Sequence, residues 1–365
     1  MISGENVGWP VDRSAKGDSL RAAIKAENIE IEKQNAALME ENWSKGTKHA
    51  MKPLREMPGL FYKEMCEAGA LGFIQSAPVP LRALYDRALL NDPHIRLIIC
   101  PKSVIQVDEH QYKIIKQMVK ERRNFWLEFD IRNHFKLGPV KYHNVVASIK
   151  GTKYPDEYVI ISGHLDSYDV ATGGIDCGTG IGPMMEAARM IALSGAKPKR
   201  TILFVAFAGE EFGLLGAKAY VKTHAKELGK IANLFNRDGG PTPPVGISVP
   251  QAMYDDFVEV CKPVKEIRAD YPFEVKVAKP FKRPTQSGGT DASVFAVEGV
   301  PTFGFNTQDI KGYNFSYGEI WHTERDLYTK NIPEYQEHAA TVTAVVALGI
   351  ANLSKQLSRE GMHKK

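Results

Sequence analysis

Three apolar stretches in the second half of this 365-residue chain each lead into acidic or imidazole side chains. The stretches are residues 158–161, 201–208 and 231–235, and the side chains that follow them are His164, Glu210, Glu211 and Asp238. Ligand sites of open α/β sheets form where the strands end, so we expect these side chains to meet. A single acid at a strand end is often only a helix cap, but three strands in series indicate one site.

Two further residues complete a set of metal-ligand type. Asp176 lies in the glycine-rich segment 172–178, and His322 follows late in the chain. Imidazole nitrogen and carboxylate oxygen are ligands that zinc accepts. The five candidates are too many for one tetrahedral ion, whereas a carboxylate that bridges two ions about 3.5–4 Å apart uses all of them. The sequence therefore predicts two Zn²⁺ per chain, held by His164, Asp176, Glu211, Asp238 and His322.

The neighbouring acids are expected to have other roles. Side chains of adjacent residues point in different directions, so Glu211 can bind metal while Glu210, in the same helix start, serves as the catalytic base. Asp166 follows His164 by two residues and is predicted to accept a hydrogen bond from the imidazole nitrogen that does not face the metal. Asp326 has two open interpretations, a partner of the site or a cap of the next turn.

The chain changes its pattern near residue 140. Apolar runs and helical segments alternate after residue 143, which predicts an α/β domain over residues 140–365. Residues 1–139 are predicted to hold a long exposed helix and a smaller strand-rich module. The helices expected there cover residues 18–42, 60–68 and 108–122, and the strands cover residues 70–74, 95–99 and 125–129.

Composition excludes some classes of protein. The 47 basic and 43 acidic residues are interspersed and leave a formal charge of +4, so neither a nucleic-acid surface nor a membrane surface is predicted. No apolar run approaches the roughly 20 residues that a membrane span requires. The four cysteines lie far apart in the sequence, with no metal-binding pair and no disulfide framework.

Five motifs in this order resemble the dizinc aminopeptidase and carboxypeptidase family that includes glutamate carboxypeptidase, and they are most similar to its carboxypeptidase Q branch. The motifs are His-Leu-Asp-Ser at 164–167, Gly-Ile-Asp at 174–176, Gly-Glu-Glu-Phe-Gly-Leu-Leu-Gly at 209–216, Ser-Gly-Gly-Thr-Asp at 287–291 and His-Thr-Glu-Arg-Asp at 322–326.

The resemblance implies a mixed, mostly parallel sheet flanked by helices. It implies that Asp176 bridges two zinc ions, that His164 and Asp238 hold one, that Glu211 and His322 hold the other, and that Glu210 is the general base. It also implies a cis peptide bond after Asp176, a protease-associated-like domain within residues 1–139, and a secreted or periplasmic protein. The first residues shown lack the basic start and apolar stretch of a signal peptide.

Two positions depart from the family pattern. Cys177 stands where many relatives have Asn or Asp, and it is interpreted as either a reactive thiol or an inert buried one. Trp321 stands where relatives often have Tyr or His, so Tyr313 or Tyr317 is a candidate for the missing polar group. One wall of the substrate pocket is predicted from Ser287, Thr290 and Asp291.

The expected activity is hydrolysis of terminal bonds in peptides or dipeptides, by an aminopeptidase or a carboxypeptidase. One alternative is a single-zinc enzyme similar to glutaminyl cyclase, which the number of bound ions would distinguish. Another is a catalytically silent binding protein, which loss of ligand residues would mark. Whether the chain forms a homodimer stays open.

Overall fold

The computed structural model describes residues 15–45, 47, 49–52, 69, 72–77, 103–130, 132, 140–168 and 170–363. The chain divides into two compact units that separate at residue 140, except that residues 322–324 group with the first unit. Among the helices of the described ranges, none is both long and apolar enough to cross a bilayer.

The first unit contains the predicted long helix, α1 at Ala15–Lys45. Strand β1, Gly72–Ala77, pairs in parallel with β2, Ser103–Asp108, and helix α2 follows at Glu109–Lys120. The strand predicted at residues 125–129 is absent, since this described segment has no regular structure and Trp126 is 98% exposed. The expected helix at 60–68 and strand at 95–99 lie outside the described residues. A protease-associated-like domain stays a prediction.

A four-stranded sheet organises the second unit, in the order β3-β5-β4-β6. Strand β3 is antiparallel to β5, whereas β5, β4 and β6 run parallel, which confirms the predicted mixed, mostly parallel sheet. The four strands are β3 Val145–Ile149, β4 Tyr154–His164, β5 Arg200–Phe207 and β6 Ile231–Asn236.

A smaller sheet follows β6 in the chain. Strand β7, Pro244–Val249, lies between β8, Glu274–Val277, and β9, Phe305–Thr307, and pairs in parallel with β8 and antiparallel with β9. Before β9, a single isolated bridge joins Thr302 to Leu234 of β6. The helices of this unit are α3 Gly178–Leu193, α4 Leu215–Thr223, α5 Tyr254–Ile267, α6 Ala292–Val297 and α7 Pro333–Asn352.

Helices cover both faces of the main sheet, which explains why its strands are continuous apolar runs. Successive side chains of β4 alternate between faces: Val159 and Ile161 pack in the cluster formed with α3, α5 and α7, whereas Ile160 packs with α4 and α6. On α3, the spacing of Met184, Ala187 and Ile191 places one apolar stripe against the sheet.

The segment between β5 and α4 is a closed turn that carries the two glutamates. Helix α4 begins at Leu215 rather than at the glutamates, because Gly213 (φ 112°) and Leu214 (φ 60°) have left-handed backbone. Asn144 holds both ends of the turn, since its amide oxygen accepts from the Ala208 N–H at 3.0 Å and its amide nitrogen donates to the Gly216 carbonyl at 2.9 Å. The sequence predicted that the two glutamates open a helix. They lie in this turn before the helix instead.

Helix α3 approaches the end of β6 closely at Gly180. A Cβ atom there would lie 2.2 Å from the Arg237 carbonyl oxygen and 2.5 Å from the Cys177 sulfur. Gly182, two residues on in the same helix, is exposed and would have no heavy atom within 4 Å of an added Cβ.

We predict opposite effects for alanine at these two positions. Gly180→Ala should destabilise the protein by about 1–3 kcal/mol through overpacking against backbone, whereas Gly182→Ala should stabilise it by up to about 1 kcal/mol through helix propensity. Chemical denaturation of both variants measures the difference. Equal midpoints for the two variants would contradict the close approach of Gly180.

Candidate metal and catalytic site

The three parallel strands end together. In the sheet register His164 lies beside Phe207, the last residue of β5, and Ser162 lies beside Asn236, the last residue of β6. The two glutamates follow Phe207 within four residues, and Asp238 follows Asn236 within two. The alignment brings their backbones to one edge of the sheet.

Four of the five predicted ligands meet at this edge. The Nε2 atom of His164 lies 2.9 Å from Oδ1 of Asp176 and 3.4 Å from Oδ1 of Asp238. His164, Asp176 and Glu211 form one group whose ligand atoms all lie within 4.8 Å of one another. All three are buried, and Asp238 is nearly so.

The hydrogen bond on the other side of the His164 ring fixes which nitrogen is available. Nδ1 lies 2.8 Å from the backbone carbonyl oxygen of Asp166. A carbonyl can only accept, so Nδ1 carries the hydrogen and Nε2 of the neutral ring presents a lone pair to two carboxylates. Burial favours the neutral ring, but the contacts with Asp176 and Asp238 raise the pKa of His164 above its usual value. A proton or a metal cation at Nε2 satisfies these oxygens, so this donor set fits a divalent ion.

Asp166 supports the site with different atoms from those predicted. Its carboxylate lies 3.9 Å from Nδ1 of His164, beyond hydrogen-bonding distance, and the backbone carbonyl replaces it as acceptor. The carboxylate instead accepts from the backbone N–H groups of Glu210 and Glu211, at 3.0 and 3.2 Å. It can do so because the glutamates lie in the turn before α4, where their N–H groups have no helical partner. Asp166 therefore orients both the imidazole and the glutamate pair.

Asp326 fixes the loop that carries Asp176. Its buried carboxylate accepts from the backbone N–H of Ile175 at 2.7 Å and of Asp176 at 3.3 Å. This contact favours the first of the two interpretations left open for Asp326. The peptide bond between Asp176 and Cys177 is cis, which confirms the prediction.

Several carboxyl groups surround His164. Burial, with the neighbouring carboxylates, raises the pKa of Glu210 to about 9 and that of Glu211 to about 8. Asp291 is fully buried, and neither of its oxygens has a hydrogen-bond partner among the described residues. Burial raises its pKa to about 7. Several carboxylates around one imidazole need a compensating cation to remain charged, which again fits a metal site.

Tyr317, rather than Tyr313, reaches the site. Burial, with the nearby charges of Asp176 and Asp238, raises the pKa of the Tyr317 phenol. Gly240 leaves room for the ring, because an added Cβ would lie 3.1 Å from it. Tyr313 is 53% exposed and donates to Glu334 instead. Trp321 is half-buried, and its backbone N–H donates to the backbone carbonyl of Tyr317 at 2.8 Å.

A cavity of about 250 Å³ opens beside Asp238. Thr290 lines it as well, within the segment 287–291 from which a pocket wall was predicted. Asn236, which the sequence analysis missed, also lines the cavity and donates to the Thr290 hydroxyl at 2.6 Å. Its position as the last residue of β6 was the available signal. Ser287 and Asp291 do not line this cavity.

His322 was predicted as a metal ligand, whereas Cys177 was interpreted only as a reactive or an inert thiol. Neither group of metal-ligand side chains in the described ranges includes His322, which is half-buried with left-handed backbone (φ 59°). Its role stays a prediction. Cys177, by contrast, forms a second such group with His164 and Asp238.

Comparison with known proteins identifies the class. Residues 144–346, more than half of the chain, match the model of Peptidase family M28, so the chain belongs to this family. This range contains every residue of the site described above.

Individual relatives agree with that assignment. The chain is 32% identical over 231 residues to carboxypeptidase Q of Rattus norvegicus, covering 62% of this chain and 46% of that protein. It is similar to the crystal structure of a Peptidase M28 precursor from Shewanella amazonensis, with 27% identity, a TM-score of 0.59 and coverage of 80% of this chain and 62% of the other. A zinc aminopeptidase from Bacillus subtilis shares the fold at 18% identity and a TM-score of 0.51, over 83% and 69% of the two chains. The chain spans slightly less than half the length of the curated relatives that it matches most extensively.

We predict that Asp166→Asn weakens zinc binding without unfolding the protein. An amide offers one acceptor where the carboxylate offers two, so one glutamate N–H would face an NH₂ group. Loss of such supporting contacts typically lowers metal affinity by about 10–100-fold. Competition against a chelating dye measures the affinity, and circular dichroism checks the fold. Asp156→Asn, on an exposed part of β4, is the charge-matched control; equal affinities of the two variants would refute the supporting role.

Proposed function

We propose that this chain is a zinc-dependent exopeptidase that hydrolyses terminal peptide bonds of peptides or dipeptides. The observation that carries the proposal is the meeting of His164, Asp176, Glu211 and Asp238 at one buried sheet edge, with Nε2 of His164 facing carboxylate oxygens. Membership of Peptidase family M28 supports the same reaction class.

We propose two zinc ions bridged by Asp176. His164 and Asp238 would hold one ion, and Glu211 with His322 the other. The grouping of Asp176 with both His164 and Glu211, and the 3.4 Å separation of Asp238 from Nε2 of His164, support this division. When bound, zinc polarises the scissile carbonyl and lowers the pKa of water.

Glu210 is the proposed general base. Its backbone is fixed by Asp166 beside Glu211, and its buried side chain has a pKa raised to about 9, mainly by burial. A cation beside it would lower that pKa and keep the carboxylate ready to accept a proton. Glu210 would take the proton from water and pass it to the leaving amine.

The substrate would be oriented by groups around this centre. The phenol of Tyr317, whose pKa the neighbouring Asp176 helps to raise, is suited to stabilise negative charge on the carbonyl oxygen. The cavity beside Asp238 has apolar walls from Leu234, Ala292 and Phe303, and its volume suits one amino-acid side chain. Dipeptides and aminoacyl amides with one terminus blocked distinguish aminopeptidase from carboxypeptidase activity.

The two adjacent glutamates should separate in mutagenesis. Glu210→Gln keeps the size of the side chain but removes its basicity, so zinc content should be unchanged while turnover falls by roughly 10²–10⁴-fold. Glu211→Gln should lose zinc, and excess zinc should restore part of the activity. Zinc analysis and turnover on the substrate panel measure both effects.

The opposite pattern reverses the assignment: zinc loss with rescue in Glu210→Gln, and a full zinc complement in Glu211→Gln. Full activity of both variants would place the active site elsewhere.

A further inference from the structure

Cys177 lies inside the proposed metal site rather than behind it. Its sulfur, a ring nitrogen of His164 and a carboxylate oxygen of Asp238 all lie within 4.8 Å of one another. The side chain is buried, and the sulfur lies between two glycines, since an added Cβ would be 3.3 Å away at Gly163 and 2.5 Å away at Gly180. Because neither glycine has a Cβ atom, there is room for the sulfur between them.

The spacing of the three ligand atoms suits a single ion. Zinc binds nitrogen and oxygen at about 2.0–2.2 Å and sulfur at about 2.3 Å with tetrahedral geometry, which places ligand atoms roughly 3.3–3.8 Å apart. Small side-chain rotations bring atoms within 4.8 Å of one another to that separation. His164 ends β4, Asp238 follows β6 and Cys177 directly precedes α3, so three separate segments of the chain bring their side chains to one place.

We propose that Cys177 is a thiolate ligand of the metal ion held by His164 and Asp238, so that this metal centre contains one sulfur. The inference rests on the proposed metal site and adds a ligand to it. Without an ion, the thiol donates to the Arg237 carbonyl at 3.0 Å. On binding, the S–H bond breaks, a metal–sulfur bond forms and the proton goes to solvent. Soft thiolate donors favour zinc over hard ions such as Mg²⁺ and Mn²⁺, so the site should discriminate against those ions.

Cobalt substitution tests the ligand directly. Co²⁺ added to the metal-free full chain should produce visible ligand-field bands, which report binding, and an intense near-ultraviolet charge-transfer band, which reports a thiolate ligand. Cys177→Ser should keep the visible bands and lose the near-ultraviolet band, and its zinc affinity should fall by about 10–100-fold or more. Cys261→Ser is the matched control, because Cys261 is another buried free thiol, on α5. Its spectra should equal those of the unmodified chain.

X-ray absorption at the zinc edge provides a test that needs no variant. The unmodified protein should show a zinc–sulfur distance of about 2.3 Å besides the shorter nitrogen and oxygen distances. Visible cobalt bands with no charge-transfer band, a charge-transfer band that persists in Cys177→Ser, or zinc with only nitrogen and oxygen neighbours would each overturn the sulfur ligand while leaving the metal site in place. Absence of all cobalt bands from the unmodified chain would reject the metal site and the sulfur ligand together.

Discussion

Strands β4, β5 and β6 run parallel and in register, so His164 stands beside Phe207 and Ser162 beside Asn236. His164, the two glutamates and Asp238 come together through this alignment, because each strand leads into its acidic or imidazole side chains within a few residues of the same edge. The apolar halves of the same strands are buried between helices on both faces. The core therefore holds the strand ends rigidly, and the site needs only short segments beyond them.

The same alignment brings several carboxyl groups together in a buried region. His164 faces Asp176 and Asp238, and Asp291 has no partner for either oxygen in the described ranges. An unpaired buried charge is costly, and removing one partner of a buried pair typically destabilises a protein by about 3–5 kcal/mol. The supporting contacts of Asp166 and Asp326 with backbone N–H groups hold the ligands in place despite their repulsion. We infer that divalent ions complete this arrangement.

The parts of the site that depend on strand order were predictable from the sequence. An apolar run followed by an acid or imidazole predicts both the strand and the position of the side chain that follows it, as with His164 and Asp238. The resemblance to a family motif predicted the cis peptide bond after Asp176, and a departure from that motif made Tyr313 and Tyr317 candidates. Only the folded loop shows which phenol lies near Asp176, because Tyr313 donates to Glu334 instead.

Other features depend on backbone geometry that no periodicity reveals. The left-handed residues Gly213 and Leu214 delay α4, which frees the N–H groups that Asp166 binds. Because the Asp166 carbonyl already satisfies Nδ1 of His164, the predicted contact with its carboxylate did not form. Cys177 could be recognised as a departure from a pattern, but its approach to His164 and Asp238 required the packing of Gly180 against Arg237.

Anomalous diffraction at the zinc absorption edge, from crystals of the full chain grown with zinc, tests the central claim most directly. The account predicts two peaks: one within about 2.0–2.3 Å of ligand atoms of His164 and Asp238, the other at bonding distance from Glu211, with Asp176 between them. A single peak at His164 would reject the bridged pair. No peak at His164, or zinc bound only elsewhere on the chain, would contradict the account.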